Sequence, residues 1–312
     1  MFEPLIWDDG VLKILDQTRL PDEVSWISCK SYLDVALCIK EMKIRGAPAI
    51  GIAGAYGVCL ADDKEKAIET LKRTRPTGRD LFYTLERMKD SKNPLELAKQ
   101  IHQELKEKNR KIGEYGIFLL YDGISILTHC NAGSLACCGI GTALAPIYLA
   151  HNKGMNIKVF ASETRPRCQG ARLTMWELER AGISSTLIAD TMVGYAMKNK
   201  LVDIVFVGAD RIAKNGDLAN KIGTYQIAIL SNYHKIPFFA LAPTSTIDLS
   251  IEDGSKIPIE ERSKDELGYN VNCLNPAFDI TPHSLITGII TEEGITRKKE
   301  VEKGLLMPLL WG

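Results

Sequence analysis

The chain has 312 residues, long enough for two domains and for a core that closes without covalent staples. Its 39 basic and 39 acidic residues balance, with no long block of like charge, which argues against a nucleic-acid track or a polybasic membrane anchor. No apolar run approaches the roughly 20 residues of a membrane span, so neither nucleic acid nor membrane is expected as a partner. The eight cysteines, Cys29, Cys38, Cys59, Cys130, Cys137, Cys138, Cys168 and Cys273, form no CxxC pair of the zinc or thioredoxin kind. Met1 to Gly10 carries Glu3, Asp8 and Asp9 and lacks the basic start of a secretory signal. Together these features point to a reducing cytoplasm.

Leu5 to Trp7 and Val11 to Leu15 flank an Asp8-Asp9-Gly10 turn and read as a hairpin that begins a small antiparallel sheet. From Ser31 to Lys43 the spacing of Leu33, Leu37 and Ile44 predicts a helix, ending at Arg45-Gly46-Ala47-Pro48. Residues 49 to 60 alternate Gly and Ala with Ile and Val, which suits a helix that another element approaches closely. Amphipathic helices are expected over Asp63 to Arg73, Arg79 to Lys89 and Leu95 to Asn109. Residues 1–120 therefore read as a mainly helical N-terminal domain with a small sheet.

From residue 121 to 312 the pattern changes. Apolar runs at Ile124 to Leu127, Ile157 to Phe160, Ser185 to Ile188, Ile204 to Val207 and Phe238 to Leu241 alternate with helical segments. Those segments are Gly139 to His151, Gly170 to Ala181, Met192 to Asn199 and Lys221 to Tyr233. Such alternation argues for βαβ units and a parallel sheet, an α/β fold of the Rossmann-like kind. After Leu241 the chain reads as irregular until Thr281-Pro282, which resembles the cap and first residue of one more helix. No GxGxxG follows the first strand and no Walker loop is present, so a dinucleotide or nucleotide cofactor is disfavoured.

The strand ends carry the chemistry. Just past the five runs stand Cys130, then Glu163-Thr164-Arg165, Asp190, Asp210-Arg211 and Pro243-Thr244. Ligands of open parallel sheets collect outside the carboxyl ends of the strands, so these residues would share one rim. Cys130 reads either as a small buried residue or as a nucleophilic thiol ahead of the Gly133-Ser134 turn, where amides and a helix end favour a thiolate. Asp210 reads either as a helix cap or Arg211 partner, or as a carboxylic acid at the same site. His129 adjoins Cys130, but neighbouring strand residues face opposite ways, so it reads as structural. Cys137 and Cys138 read as helix packing, and Cys168 as a bystander.

The motifs Arg45-Gly46-Ala47-Pro48-Ala49-Ile50, Thr74-Arg75-Pro76-Thr77 and His129-Cys130-Asn131 with Gly133-Ser134-Leu135-Ala136 continue in order along nearly the whole chain. Glu163-Thr164-Arg165-Pro166 with Gln169-Gly170-Ala171-Arg172, Gly208-Ala209-Asp210-Arg211, Asn220-Lys221-Ile222-Gly223-Thr224, Ile257 to Arg262 and Asn275 to Asp279 follow. On these residues the sequence resembles the methylthioribose-1-phosphate isomerase family, relatives of the regulatory initiation factor two-B subunits. The resemblance implies an aldose–ketose isomerase of methionine salvage, a homodimer that needs no cofactor and no metal, with a pentose 1-phosphate as its small-molecule partner. It places Cys130 and Asp210 at the family's catalytic cysteine and aspartate. Arg45, Gly46, Ala47, Arg75, Gln169, Asn220 and Lys221 fall at its substrate-contacting positions.

A furanose with phosphate on its anomeric oxygen cannot open to a free aldehyde. An acid must protonate the ring oxygen, and Asp210 would hold that proton near neutrality only if burial raised its pKa. Cys130, from an unperturbed pKa of about 8.5, would serve as the base. Arg45, Arg75 and Lys221 would hold the phosphate. The family pattern departs at Gly78-Arg79-Asp80, where an Ala-Val-Asn-like run is usual, after Lys89, where the segment is short, and at Ala132, Cys137 and Cys138. These departures bear on the pocket around the substrate's C5. Alternatives are an isomerase of ribose 1,5-bisphosphate or 5-deoxyribose 1-phosphate and, from another class, a non-enzymatic regulatory subunit. The bisphosphate branch usually has Gly where Pro48 stands, and only Arg79 would be free to hold its second phosphate.

Overall fold

The computed structural model describes residues 2–75 and 78–297. Pro76 and Thr77 of the Thr74–Thr77 motif, and residues 298–312 of the expected C-terminal domain, lie outside the described residues.

The hairpin pairs β1 (Leu5–Asp8) with β2 (Val11–Leu15), and β3 (Trp26–Cys29) completes an antiparallel sheet in the order β1-β2-β3. Asp9 and Gly10 both turn with positive φ, 40° and 78°, as a tight two-residue hairpin turn requires. Helix α1 (Tyr32–Lys40) starts on a reciprocal Ser31/Asp34 capping box. The expected apolar face is wrong: Leu33 and Leu37 are exposed, and Val35, Ala36, Cys38 and Ile39 face the core. One stripe of α1 is claimed by the next helix, α2 (Ala47–Cys59), and that contact outranks the spacing of the leucines.

Helix α2 is buried at every position from Ala47 to Val58. Helices α3 (Lys64–Lys72), α4 (Arg79–Met88) and α5 (Pro94–Ile117) surround it. Its small residues are the reason α4 can come so near: a Cβ on Gly51 would stand 3.0 Å from the Asp80 carbonyl oxygen. Helix α5 runs past its expected end at Asn109, because that side chain is buried and donates to the carbonyls of Cys137 and Cys138.

Beyond α5 come β4 (Ser125–Thr128), α6 (Ser134–Cys137), α7 (Ala145–Asn152), β5 (Lys158–Ser162), α8 (Met175–Arg180), β6 (Ser185–Ile188), α9 (Val193–Lys198) and β7 (Ile204–Val207). Then follow β8 (Arg211–Ala213), β9 (Leu218–Lys221), α10 (Thr224–His234), β10 (Phe238–Leu241), β11 (Ile247–Asp248), β12 (Phe278–Thr281), β13 (Gly288–Thr291) and β14 (Gly294–Arg297). All five expected strands lie in one seven-stranded sheet, ordered β14-β13-β10-β7-β4-β5-β6, parallel except at β14. The chain runs outward from β4 to β5 and β6, then returns to β7 on the other side of β4. Strand order therefore reverses between β4 and β7, the place where such sheets bind ligands.

Several expected boundaries are corrected. The helix from Gly139 starts only at Ala145, since Gly139 and Gly141 have φ of 56° and 78°. That from Gly170 opens as a π turn over Gly170–Thr174 before α8. Lys221 belongs to β9, not to the following helix. No helix begins at Thr281-Pro282: β12 ends there, a short 3-10 turn follows, and the apolar Gly288–Thr291 becomes a buried strand beside β10. A second sheet, β11-β8-β9-β12, occupies part of what read as irregular chain.

Candidate active site

Cys130 follows β4 and Asp210 follows β7, adjacent parallel strands, so both stand at the crevice where the order reverses. One pocket there is lined by all the expected site residues: Arg45, Gly46, Ala47, Arg75, Cys130, Gln169, Asp210, Asn220 and Lys221. Met42, Pro48, Leu241, Ala242, Pro243 and Phe278 supply apolar wall.

Cys130 has φ of 62°, and Thr164, which faces it, has φ of 67°. A β-branched residue in that region is strained and persists only where its surroundings dictate it. Here they do: the Cys130 N–H donates to Thr164 Oγ1 at 2.9 Å, and Thr174 Oγ1 donates to the Cys130 carbonyl at 2.6 Å. Asp190 accepts the N–H groups of Thr164 and Arg165 at 2.9 and 2.7 Å. Thus the strand-end residues do gather on one rim, but Thr164 and Asp190 build the loop and do not line the pocket. The helix after Cys130, α6, is only four residues long, too short for a helix dipole of weight. Positive charge near the sulfur comes from Lys221 and from Arg45, whose Nη2 lies 3.9 Å from Cys130 Sγ. Its Nη1 donates to Asn131 Oδ1, and Nη2 also donates to the Asn131 carbonyl.

Gly46 has φ of 92°, and a Cβ there would fall 2.4 Å from the Ala136 carbonyl oxygen. This close approach lays the start of α2 against α6. No side chain caps α2 at Gly46, and Gly46, Ala47 and Pro48 at the start of this helix line the pocket. Arg75 is buried, with Nε 3.4 Å from Glu260 and Nη1 donating to Met42 Sδ at 3.0 Å. Lys221 donates to the Ala277 carbonyl at 3.0 Å and stands 4.6 Å over the Phe278 ring. Burial lowers its pKa, against the pull of Cys130 and Asp210. Asn220 donates to Thr224 Oγ1 at 3.0 Å, and Gln169, also buried, has an Oε1 without a partner. Such an acceptor is costly unless a ligand hydroxyl meets it.

Asp210 does not pair with Arg211, whose guanidinium lies 3.4 Å from Asp248. Burial raises the Asp210 pKa, and Lys221, Arg75 and Arg45 pull it partly back. His129 is structural as expected: Ser162 Oγ lies 2.6 Å from Nδ1 and the Ile222 carbonyl 2.9 Å from Nε2. Burial lowers its pKa, so the neutral ring accepts from the serine and donates to the carbonyl. Cys137 lines the pocket, pushed up to about 12 by burial, while Cys138 and Cys168 do not.

Sequence reasoning missed Glu177, a fully buried carboxylate beneath Asn131 and α6, and Glu260, the partner of Arg75. Glu260 sits inside a motif already noticed; Glu177, on a helix of ordinary composition, gave no signal. Among the described residues one group has metal-ligand spacing, Glu3, His102 and Cys138, within 4.8 Å of one another. It lies outside the pocket, and Lys106 already pairs with Glu3.

A model of the initiation factor 2 subunit family matches residues 43–298, a span that holds all the expected site residues. The chain belongs to this family. It is 49% identical to a methylthioribose-1-phosphate isomerase of Acetivibrio thermocellus, over 94% of this chain and 96% of that one. To a 5-deoxyribose 1-phosphate isomerase of Bacillus cereus it is 46% identical, over 94% and 95%. Among solved structures, the 5-methylthioribose 1-phosphate isomerase of Pyrococcus horikoshii matches with a TM-score of 0.88 and 39% identity, over 98% of this chain and 95% of that one. The delta subunit of translation initiation factor eIF-2B from A. fulgidus matches with a TM-score of 0.83 and 41% identity, over 98% and 99%. The initiation factor 2 subunit family thus spans names of both enzymes and translation factors.

Proposed function

We propose that the chain is an aldose–ketose isomerase that converts 5-methylthioribose 1-phosphate to 5-methylthioribulose 1-phosphate in methionine salvage. The observation that carries this reading is the pairing of Cys130 and Asp210 across the β4/β7 crevice, in one pocket with Arg45, Arg75 and Lys221. A regulatory subunit has no need of a buried thiol and a proton-holding carboxyl among phosphate-binding cations.

In this mechanism the phosphate rests on the Gly46 and Ala47 amides and the three cations. Asp210, whose pKa burial raises, gives its proton to the ring oxygen, and the C1–O4 bond breaks to leave a phosphorylated oxocarbenium. Cys130, beside Arg45, takes the O2 proton while the C2 hydrogen moves to C1, which makes the ketone at C2. Gln169 Oε1 accepts from a sugar hydroxyl.

The 5-deoxyribose 1-phosphate reading stands second, favoured by the apolar wall of Met42, Pro48, Leu241 and Phe278, which suits a methyl as well as a methylthio group. Turnover of a panel of pentose 1-phosphates differing at C5, read as ketose formed, tests both. No turnover of any member would overturn the isomerase reading.

The proposal extends to the setting. Residues 1–120 and 121–312 act as an N-terminal and a catalytic domain, supported by separate hydrophobic clusters around α2 and around the seven-stranded sheet. A homodimer is supported by exposed Tyr195, Tyr225, Ile229 and Tyr233 on the adjoining α9 and α10. A cytoplasmic location is supported by eight free cysteines, and among the described residues no helix is long and apolar enough to cross a membrane.

A further inference from the structure

Glu177 is 0% exposed on α8 and is not among the residues that line the pocket. Its two oxygens take five hydrogen bonds. Oε1 accepts from Asn131 Nδ2 at 2.8 Å and from the Leu135 N–H at 3.1 Å. Oε2 accepts from the Ser134 N–H at 2.8 Å, Ser134 Oγ at 2.9 Å and Tyr148 Oη at 2.9 Å. A carboxylate buried in this way is costly unless its lone pairs are used, and here the donors come from two stretches of chain, residues 131–135 and Tyr148. Gly133 leaves room for it, since a Cβ there would lie 2.3 Å from Oε2.

A cap for the short α6 would need only the Ser134 and Leu135 amides. The bond to Asn131 goes further, because it fixes which way that amide points. With Nδ2 given to Glu177 and to Thr174 Oγ1 at 3.2 Å, Oδ1 must face the other way, where Arg45 Nη1 donates to it. The same guanidinium holds its second nitrogen 3.9 Å from the Cys130 sulfur. A continuous chain of contacts therefore runs from a buried anion through a neutral amide to a cation and then to the thiol.

We infer that Glu177 is a positioning residue of the site: its carboxylate orients Asn131, and Asn131 holds the Arg45 guanidinium against Cys130. The inference rests on the reading of Cys130 as a reacting group, but not on the identity of the sugar. Glu177 touches neither the pocket nor the sulfur, and acts only through the amide and the cation.

The test is a double-variant cycle on the full chain that uses no substrate. Alkylation of Cys130 by iodoacetamide at neutral pH is followed by mass analysis of its peptide, since other cysteines also react. Arg45→Ala sets the size of the guanidinium's effect, expected as a slowing of about tenfold once the cation 3.9 Å from the sulfur is gone. Glu177→Ala is expected to slow the reaction by about threefold or more in the natural background, and to change it less than about twofold once Arg45 is already Ala. Unchanged alkylation in Glu177→Ala would overturn the inference. So would the same change in both backgrounds, which is what general loosening around α6 produces. If Glu177→Ala does not fold, as read by circular dichroism, Glu177→Leu, which keeps the bulk but offers Asn131 no acceptor, takes its place in the cycle with the same criteria. Failure of the isomerase reading shows separately, as a natural chain inactive on every pentose 1-phosphate.

Discussion

Arg45, at the mouth of α2, reaches across 85 positions of sequence to set its guanidinium 3.9 Å from the sulfur of Cys130 at the end of β4. The site is therefore shared between the helical segment and the parallel sheet. Neither part alone holds both the arginines Arg45 and Arg75 and the pair Cys130 and Asp210 that line the pocket. Gly46 makes the junction possible, because any side chain there would collide with Ala136.

The first prediction concerns the pair itself. Cys130→Ala and Asp210→Asn should each lower turnover by about 100-fold or more while circular dichroism and sedimentation match the natural chain. A variant that keeps more than about a tenth of the activity removes that residue from the role of essential acid or base.

A second prediction follows from the cations around Asp210. Burial raises its pKa, and Lys221, Arg75 and Arg45 work against that rise. Bound phosphate offsets those positive charges, so the carboxyl keeps its proton to higher pH in the complex than in the free enzyme. A general acid must be protonated, and activity is lost as pH rises through its pKa. The alkaline limb of kcat should accordingly lie at higher pH than that of kcat/KM. The opposite order would rule out Asp210 as the acid.

Stability should respond to Asp279. Its carboxyl accepts from the Gly223 and Tyr225 N–H groups, yet burial pushes its pKa up to about 6. A folded-state pKa above the unfolded value of about 3.9 means that its contribution is fully present below that value and is lost as pH rises through about 6. Asp279→Asn, which cannot ionise, should gain on the natural chain between pH 4 and pH 8. Urea midpoints measured across that range check the sign, and a flat or falling difference refutes it.

How much of this was legible in the sequence depended on how local the signal was. Ile204–Val207 and Phe238–Leu241 read correctly because a buried parallel strand is a continuous apolar run. The pairing of Cys130 with Asp210 needed only strand ends, and the family motifs supplied the rest of the pocket. What escaped was set by tertiary context. Leu33 and Leu37 have helical spacing but face solvent, because α2 packs on the other stripe. The strands β8 and β9 and their partners are short and mix apolar with polar residues, and are held by pairing that no single segment announces. Glu177 is ordinary in sequence, and its role exists only where Asn131, Ser134 and Tyr148 converge on it.

Substrate choice at C5 gives the fourth prediction. Arg79 is held 3.6 Å from Asp248, and Asp80 is buried and accepts from Ser245 and Thr246. None of Gly78, Arg79 and Asp80 lines the pocket, so the departure from the family pattern brings no second phosphate site into it. A methylthio or methyl sugar should be converted with higher kcat/KM than ribose 1,5-bisphosphate. The reverse ranking, in a direct comparison, would transfer the assignment to the bisphosphate.

The last prediction concerns how hydrogen moves once the ring is open. At that stage C1 is a phosphorylated oxocarbenium next to a C2 that still bears hydrogen. In one route Cys130 removes the C2 proton to give an enol phosphate that is reprotonated at C1; in the other it takes the O2 proton while the C2 hydrogen shifts to C1 as hydride. A base in exchange with water labels the product, and an internal hydride shift does not. The surroundings favour the hydride route. Cys130 is 9% exposed, and Ala132 and Ala136 belong to the same wall. The nearby His129 has both ring nitrogens occupied by Ser162 and Ile222, so it offers the thiol no relay to solvent. Turnover in heavy water, followed by mass analysis of C1 in the ketose, should therefore find deuterium well below one atom per molecule. Near-stoichiometric deuterium at C1 would sink the hydride route. Lack of deuterium is equally what a shielded thiol returning its own proton would give, so the choice then passes to a sugar deuterated at C2 and run in light water at partial conversion. Full retention of that deuterium at C1 through the whole time course, with none lost to solvent, is the outcome expected of a hydride shift, whereas loss of label to solvent marks proton transfer through a thiol that exchanges while the enol phosphate is bound.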